Sequence, residues 1–209
     1  MEAIAGPGAG VRPAESAADR EAAAEALALA FADDPCWSHL LPEDATRAER
    51  LLAFFSDQIE TLTPDRRELW VAEDGGGAAI WSPPGRWRVP LGRTLKSGRT
   101  MLGVFGRHLP LALRANLQLE RAHPKREHWY LDFLGVEPRR QGRGLGGALL
   151  SPVLERCDRE GAPAYLGAST ERNRLLYERN GFALTEVIAM PGRGGPPIRK
   201  MWREPPQMG

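Results

Sequence analysis

Residues Leu131 to Leu150, LDFLGVEPRRQGRGLGGALL, gather groups able to hold an anion. An apolar strand pattern runs into a turn of glycine and arginine and then into the start of a helix. The backbone N–H groups of such a turn, and of the first helical residues, find no partners within the helix and point outward together. The helix dipole adds partial positive charge at the same end. The amides of Gln141, Gly142, Arg143, Gly144, Leu145, Gly146 and Gly147 would supply the cradle, with Arg139, Arg140 and Arg143 adding full charges around it. The glycines let the chain approach a ligand without Cβ clashes, and a pyrophosphate suits the site.

The same glycines spell G-x-G-x-x-G, and Glu171 lies roughly where a dinucleotide fold wants its ribose acid. The spacing argues against that reading. In the dinucleotide pattern the strand meets the first glycine almost directly, whereas Glu137, Pro138, Arg139, Arg140 and Gln141 intervene here. Too little chain follows Glu171 to complete a doubly wound sheet. His39, His108 and His123 have no carboxylate or cysteine partners at ligand spacing, so no metal is expected. Cys36 and Cys157 read as buried or half-buried free thiols.

The elements that must position these groups follow from periodicity. Residues 1–10 are Gly- and Ala-rich and read as disordered; a short strand follows at Val11 to Pro13. Helices are expected at Ala17 to Phe31, with Ser16 as N-cap, and at about Thr46 to Leu62. The PCWSHLLPED segment between them reads as an aromatic loop that packs under the helices or lines a pocket. Leu69 to Ala72 and Ala78 to Trp81 form a hairpin across EDGGG. Residues 85–125 form an insertion of short helical patterns, the best at Leu111 to Arg121, and a substrate-side role suits it. Its basic run, which includes Arg86, Arg88, Arg93, Lys96 and Arg99, reads as a solvated face. Then come a strand at Trp129 to Val136, a helix at Gly144 to Glu160, a strand at Ala164 to Thr170, a helix at Arg172 to Asn180, and strands at Phe182 to Met190 and Ile198 to Arg203. This order describes one α/β or α+β domain with a sheet of mixed direction.

With 209 residues and 42% apolar composition, the chain can bury a proper core. Its 28 basic and 27 acidic residues nearly cancel, which gives no general electrostatic case for nucleic acid or a membrane as partner. No window approaches the roughly 18 consecutive apolar residues of a spanning helix, and the first residues lack a signal-peptide pattern, so a cytoplasmic location is expected.

The stretch VEPRRQGRGLG, followed by AYLGAST and ERNRLLYERNGF, resembles the GNAT superfamily of N-acetyltransferases. Gln141, Gly144 and Gly146 fill that family's Q/R-x-x-G-x-G/A pattern, and Asn173, Tyr177, Gly181 and Phe182 fall at the matching positions downstream. AFADDP, WVAED, HWYL and PPIRKMWREP are similar, more loosely, to the subgroup that includes puromycin N-acetyltransferase. The resemblance implies a mixed, mostly antiparallel sheet with a splayed central strand, flanked by helices. It also implies acetyl-CoA as co-substrate, whose pantetheine arm would pair with Leu134, Gly135 and Val136, with Gly135 at a bulge. A backbone N–H, that of Leu134, would meet the developing oxyanion. Tyr177 would be the general acid, since a tyrosine with an ordinary pKa of about 10 stays protonated at neutral pH. Asn173 would hold the cofactor arm or, alternatively, cap its helix.

The general base is where the chain departs from relatives. Gly167 stands where puromycin-type relatives often carry a carboxylate, and Tyr130 where lysine-acetylating members have a glutamate. Asp132, Glu171, His128 and Glu127 are the remaining candidates. The expected acceptor is a small-molecule amine, with a homodimer possible. The alternatives are a protein or peptide N-acetyltransferase and an acyl-CoA-binding regulator without catalysis.

Overall fold

The structure of the protein is a computed structural model; it describes residues 10–41 and 44–206, with backbone alone at 62–66 and 91. The disorder expected over residues 1–10 therefore falls, except for Gly10, outside the described residues. Seven strands form one sheet: β1 (Val11–Pro13), β2 (Glu68–Ala72), β3 (Gly77–Ser82), β4 (Trp129–Val136), β5 (Ala164–Ala168), β6 (Ala183–Ala189) and β7 (Pro197–Arg203). Their spatial order is β1-β2-β3-β4-β5-β7-β6, and every neighbouring pair is antiparallel except β4 with β5. The mixed, mostly antiparallel sheet is thus present.

Helices cover both faces. α1 (Ala17–Ala30), α3 (Arg47–Arg66) and α4 (Leu91–Phe105) lie on one, while α6 (Leu145–Glu160) and α7 (Glu171–Arg179) lie on the other. The first face is held by an aromatic cluster in which Phe31, Trp37, Phe54, Phe55 and Phe105 surround Phe133 of β4 or one another. α1 begins with a capping box: Ser16 Oγ accepts from the Asp19 amide, and the Asp19 side chain accepts from the Ser16 amide.

Two elements differ from expectation. Part of the PCWSHLLPED segment is a short helix, α2 (Pro35–Leu40), because Asp34 caps it by accepting from the Cys36 and Trp37 amides and Pro35 starts it. Its Trp37 is buried against Phe54 and Phe55, so the packing reading of this segment holds. In the insertion, α4 and α5 (Leu109–Ala122) are joined by a 3-10 turn at Gly106–His108. α5 leans on the far end of the sheet, where Ala115 packs with Cys36, Met190 and Ile198 and Gln118 donates to the Ala189 carbonyl at 2.7 Å. Among the described residues, no helix is long and apolar enough to cross a membrane.

The feature that organises the sheet is the parting of β4 from β5. They pair at Trp129 with Ala164, Tyr130 with Tyr165 and Leu131 with Leu166, and no further, although β4 continues to Val136. A bulge sits where they part. Ile80 faces Phe133 and Trp81 faces Leu131, so Asp132 is the extra residue, and such an insertion bends a strand and raises its twist.

The bulge expected at Gly135 is therefore corrected: Gly135 sits in register opposite Ala78. What requires glycine there is α1. A Cβ on Gly135 would lie 2.9 Å from both the Ala30 Cβ and the Leu27 Cδ2. Gly135→Ala is expected to cost about 1–3 kcal/mol by overpacking, read as a lowered denaturant midpoint. An unchanged midpoint would mean that α1 shifts at no cost.

Candidate active site

The free edge of β4 is where a ligand arm can pair. The Glu137 amide donates to the Gly76 carbonyl of the β3 side at 2.9 Å. Backbone groups alternate along a strand, so Phe133 and Gly135 also face β3, while Leu134 and Val136 direct theirs into the gap toward β5. The Leu134 N–H is thereby aimed at the opening.

At the end of β4 the chain makes a 3-10 turn at Pro138–Arg140 and enters α6. Gly142 and Gly144 take φ of +80° and +83°, which other residues avoid, and Gly144 is the N-cap of α6, with no side chain capping it. The remaining glycines divide their roles. A Cβ on Gly146 would lie 3.1 Å from Leu176, so that glycine serves the contact of α6 with α7; Gly147 opens on free space. Gln141 does not reach outward. Its Nε2 donates to the Val136 carbonyl at 3.0 Å and its Oε1 accepts from Arg172, pinning the turn to the strand end. Arg140, expected at the anion site, is instead bound to Asp74 and Glu137. Arg139 and Arg143 remain exposed beside the turn.

Tyr177 lies on the α6/α7 face, buried with Leu166, Ala168 and Phe182, where Leu134 and Val136 also pack. Burial first, and the Asp34 carboxylate second, raise its phenol above the ordinary tyrosine value. It is held protonated. Asp34 accepts from the Ser169 hydroxyl, and Asn173 Nδ2 lies 3.5 Å from the same Ser169 Oγ. The capping alternative for Asn173 is corrected, because Thr170 is the N-cap and accepts from the Asn173 amide.

The chain matches the family model described as Acetyltransferase (GNAT) family over residues 105–182. It is 29% identical over 203 residues to an uncharacterised N-acetyltransferase of Schizosaccharomyces pombe, covering 90% of this chain and 81% of that one. A histone acetyltransferase HPA2 and related acetyltransferase structure from Corynebacterium glutamicum superposes with TM-score 0.71 at 29% identity, covering 95% of this chain and 97% of that one. The chain is similar to GNAT acetyltransferases, by the family pattern over residues 105–182 and by its relatives over most of its length. An agmatine N-acetyltransferase, 17% identical with TM-score 0.58 over 93% of this chain and 98% of its own, shares the GNAT fold.

GNAT acetyltransferases use acetyl-CoA as co-substrate, and the donor set fits it: an uncapped helix start with two positive-φ glycines for the pyrophosphate, and a free strand edge for the amide arm. The opposite face of the parting carries the polar groups. Asp132 accepts from Ser82 Oγ at 2.6 Å and from Arg67 Nη2 at 3.0 Å, with both members of the ion pair 6% exposed. Burial pushes the Asp132 carboxyl up to about 6, against the opposing pull of Arg67 and Ser82. Among the described residues, the buried Arg67 Nη1 has no hydrogen-bond partner.

The other base candidates are committed elsewhere. Glu171 pairs with Arg174 and Arg199, and Glu127 is exposed. Buried His128 donates from Nδ1 to the Arg126 carbonyl at 2.6 Å and its Nε2 faces Nε2 of half-buried His123 at 2.9 Å, over which Trp87 stacks. Gly167 also has a packing cause, since a Cβ there would meet Ile198 Cγ2 at 3.1 Å.

Sequence reasoning missed Asp34, which entered only as part of AFADDP. Aspartate directly before proline is also an N-cap signal, which would have found the α2 cap but not its neighbours Ser169 and Tyr177.

Proposed function

We propose that the protein transfers the acetyl group of acetyl-CoA directly to a primary amine of a small molecule. The observation that carries this reading is the free edge of β4 beyond Leu131, which ends at the uncapped start of α6 and has Tyr177 on the α6/α7 face and Asp132 on the other. In the reaction the amine nitrogen attacks the thioester carbonyl carbon, and the oxygen gains negative charge. The Leu134 N–H is suited to meet that charge. Once the C–N bond forms the nitrogen becomes acidic, and Asp132 takes its proton, directly or through water. The C–S bond then breaks, and Tyr177 protonates the departing thiolate. The Gln141–Gly147 turn, with Leu134, Val136 and Asn173 along the arm, holds the donor; Gly135, whose backbone groups pair with β3, only lets α1 close on the strand.

Direct transfer suits the two cysteines. Burial pushes both the Cys36 and the Cys157 thiol up to about 12, which leaves neither as a ready nucleophile. A small acceptor suits the closed end of the sheet beyond β5. α2, α5 and the β6–β7 turn close on one another through His39 Nε2 and the Pro191 carbonyl at 2.9 Å, and through Gln118 and Ala189. An extended polypeptide would need that end open.

The test is thiol release from acetyl-CoA with puromycin, aminoglycosides, polyamines, amino acids and short peptides as acceptors. Puromycin is included for the subgroup resemblance. Release that depends on a small amine is expected. Release with peptides alone would transfer the reading to a peptide acetyltransferase, and acetyl-CoA binding without any release would favour a regulator.

A further inference from the structure

The near-zero net charge of the chain hides a strong local imbalance. No acidic residue occurs between Asp74 and Glu120, and residues 85–119 carry seven Lys and Arg. The rest of the chain accordingly holds 21 basic against 27 acidic residues. The same insertion exposes large apolar side chains. Leu95 is 72% and Leu102 59% exposed on α4, and Leu113 is 54% and Leu117 49% exposed on α5. These positions recur at helical spacing, i to i+7 on α4 and i to i+4 on α5, so each helix presents an apolar stripe outward while Val104, Phe105 and Ala115 pack inward. Lys96 and Arg99 adjoin the α4 stripe, and Arg114 adjoins the α5 stripe.

We infer that the outer face of the α4–α5 hairpin docks the enzyme peripherally on an anionic lipid surface. The charge requires an acidic counterpart, and the leucines require an apolar one; an anionic bilayer interface offers both, with headgroups for Lys96, Arg99 and Arg114 and acyl chains for the leucines. A second copy packed face to face would set Lys96, Arg99 and Arg114 against their own copies, which like-charge repulsion disfavours. Nucleic acid would answer the cations but leave the leucines in water. α5 also packs on the β6–β7 end of the sheet through Gln118 and Ala115, so lipid docking would bring that end of the enzyme to the interface.

Co-sedimentation of the full chain with vesicles tests this. Binding is expected to vesicles of one part phosphatidylglycerol to two parts phosphatidylcholine, not to phosphatidylcholine alone, and to weaken as salt rises. The Leu95→Ser/Leu102→Ser variant is expected to bind at least about tenfold more weakly. A Lys96→Glu/Arg99→Glu variant should lose most of the preference for anionic vesicles. Both should keep the thermal midpoint and thiol-release rate of the parent, which separates this inference from the proposed chemistry. Equal binding to neutral and anionic vesicles would overturn it, as would unimpaired binding by either variant. So would retention by polyglutamate without vesicle binding, or a dimer in light scattering that the leucine variant abolishes.

Discussion

Replacing Asp132 with asparagine is expected to lower kcat/KM for the amine by about 10²–10⁴-fold, the usual range for loss of a general base. The amide keeps the shape and can still accept from Ser82, but it cannot take a proton. Parent enzyme should show a limb near pH 6, with activity rising as Asp132 ionises, below any limb from the amine itself, since an α-amino group titrates near about 8. The Asn variant should lack that lower limb. It also changes the partner of buried Arg67 from a carboxylate to an amide, which can alter stability. Activity must therefore be compared under conditions where circular dichroism and acetyl-CoA binding show the variant folded. A limb near pH 6 that persists in the variant would remove Asp132 from the proton path, because a purely structural role predicts a lower rate with the same pH shape. The raised carboxyl also fixes a stability trend. A folded-state pKa of about 6 against an unfolded value near 4 favours the fold at low pH, and that contribution is lost as pH rises through about 6.

Tyr177→Phe should slow turnover by at least about tenfold while leaving acetyl-CoA binding near that of the parent. The ring is buried among Leu166, Ala168 and Phe182, and phenylalanine fills the same space. Only the proton donor is lost. The leaving thiolate would then have to take its proton from water, so the deficit should shrink for a donor thioester whose thiol is more acidic. Unchanged turnover would remove Tyr177 from the mechanism. A deficit that does not depend on the leaving group would place the loss in packing against α7 instead.

Spacing within short segments made much of this site legible in the sequence. The Gln141–Gly147 turn is local: Gly142 and Gly144 need positive φ, and the apolar pattern after them makes a helix whose first amides stay free. The strand at Trp129–Val136 and the helix bearing Tyr177 follow from periodicity in the same way. Tertiary structure decided what those groups meet. The bulge falls at Asp132 and not at Gly135 because the register of β3 against β4 fixes which residue is extra. Gly135 is a glycine because α1 lies on it, and a Cβ at Gly167 would press on Ile198. Asp34 reaches Ser169 across 135 residues of sequence, and Arg67 reaches Asp132 from the start of β2. A residue's period and backbone freedom are properties of its neighbours in the chain, which a sequence displays directly. The pKa of Asp132, the burial of Tyr177 and the opening between β4 and β5 arise from groups brought together only by packing, so the folded sheet alone set them.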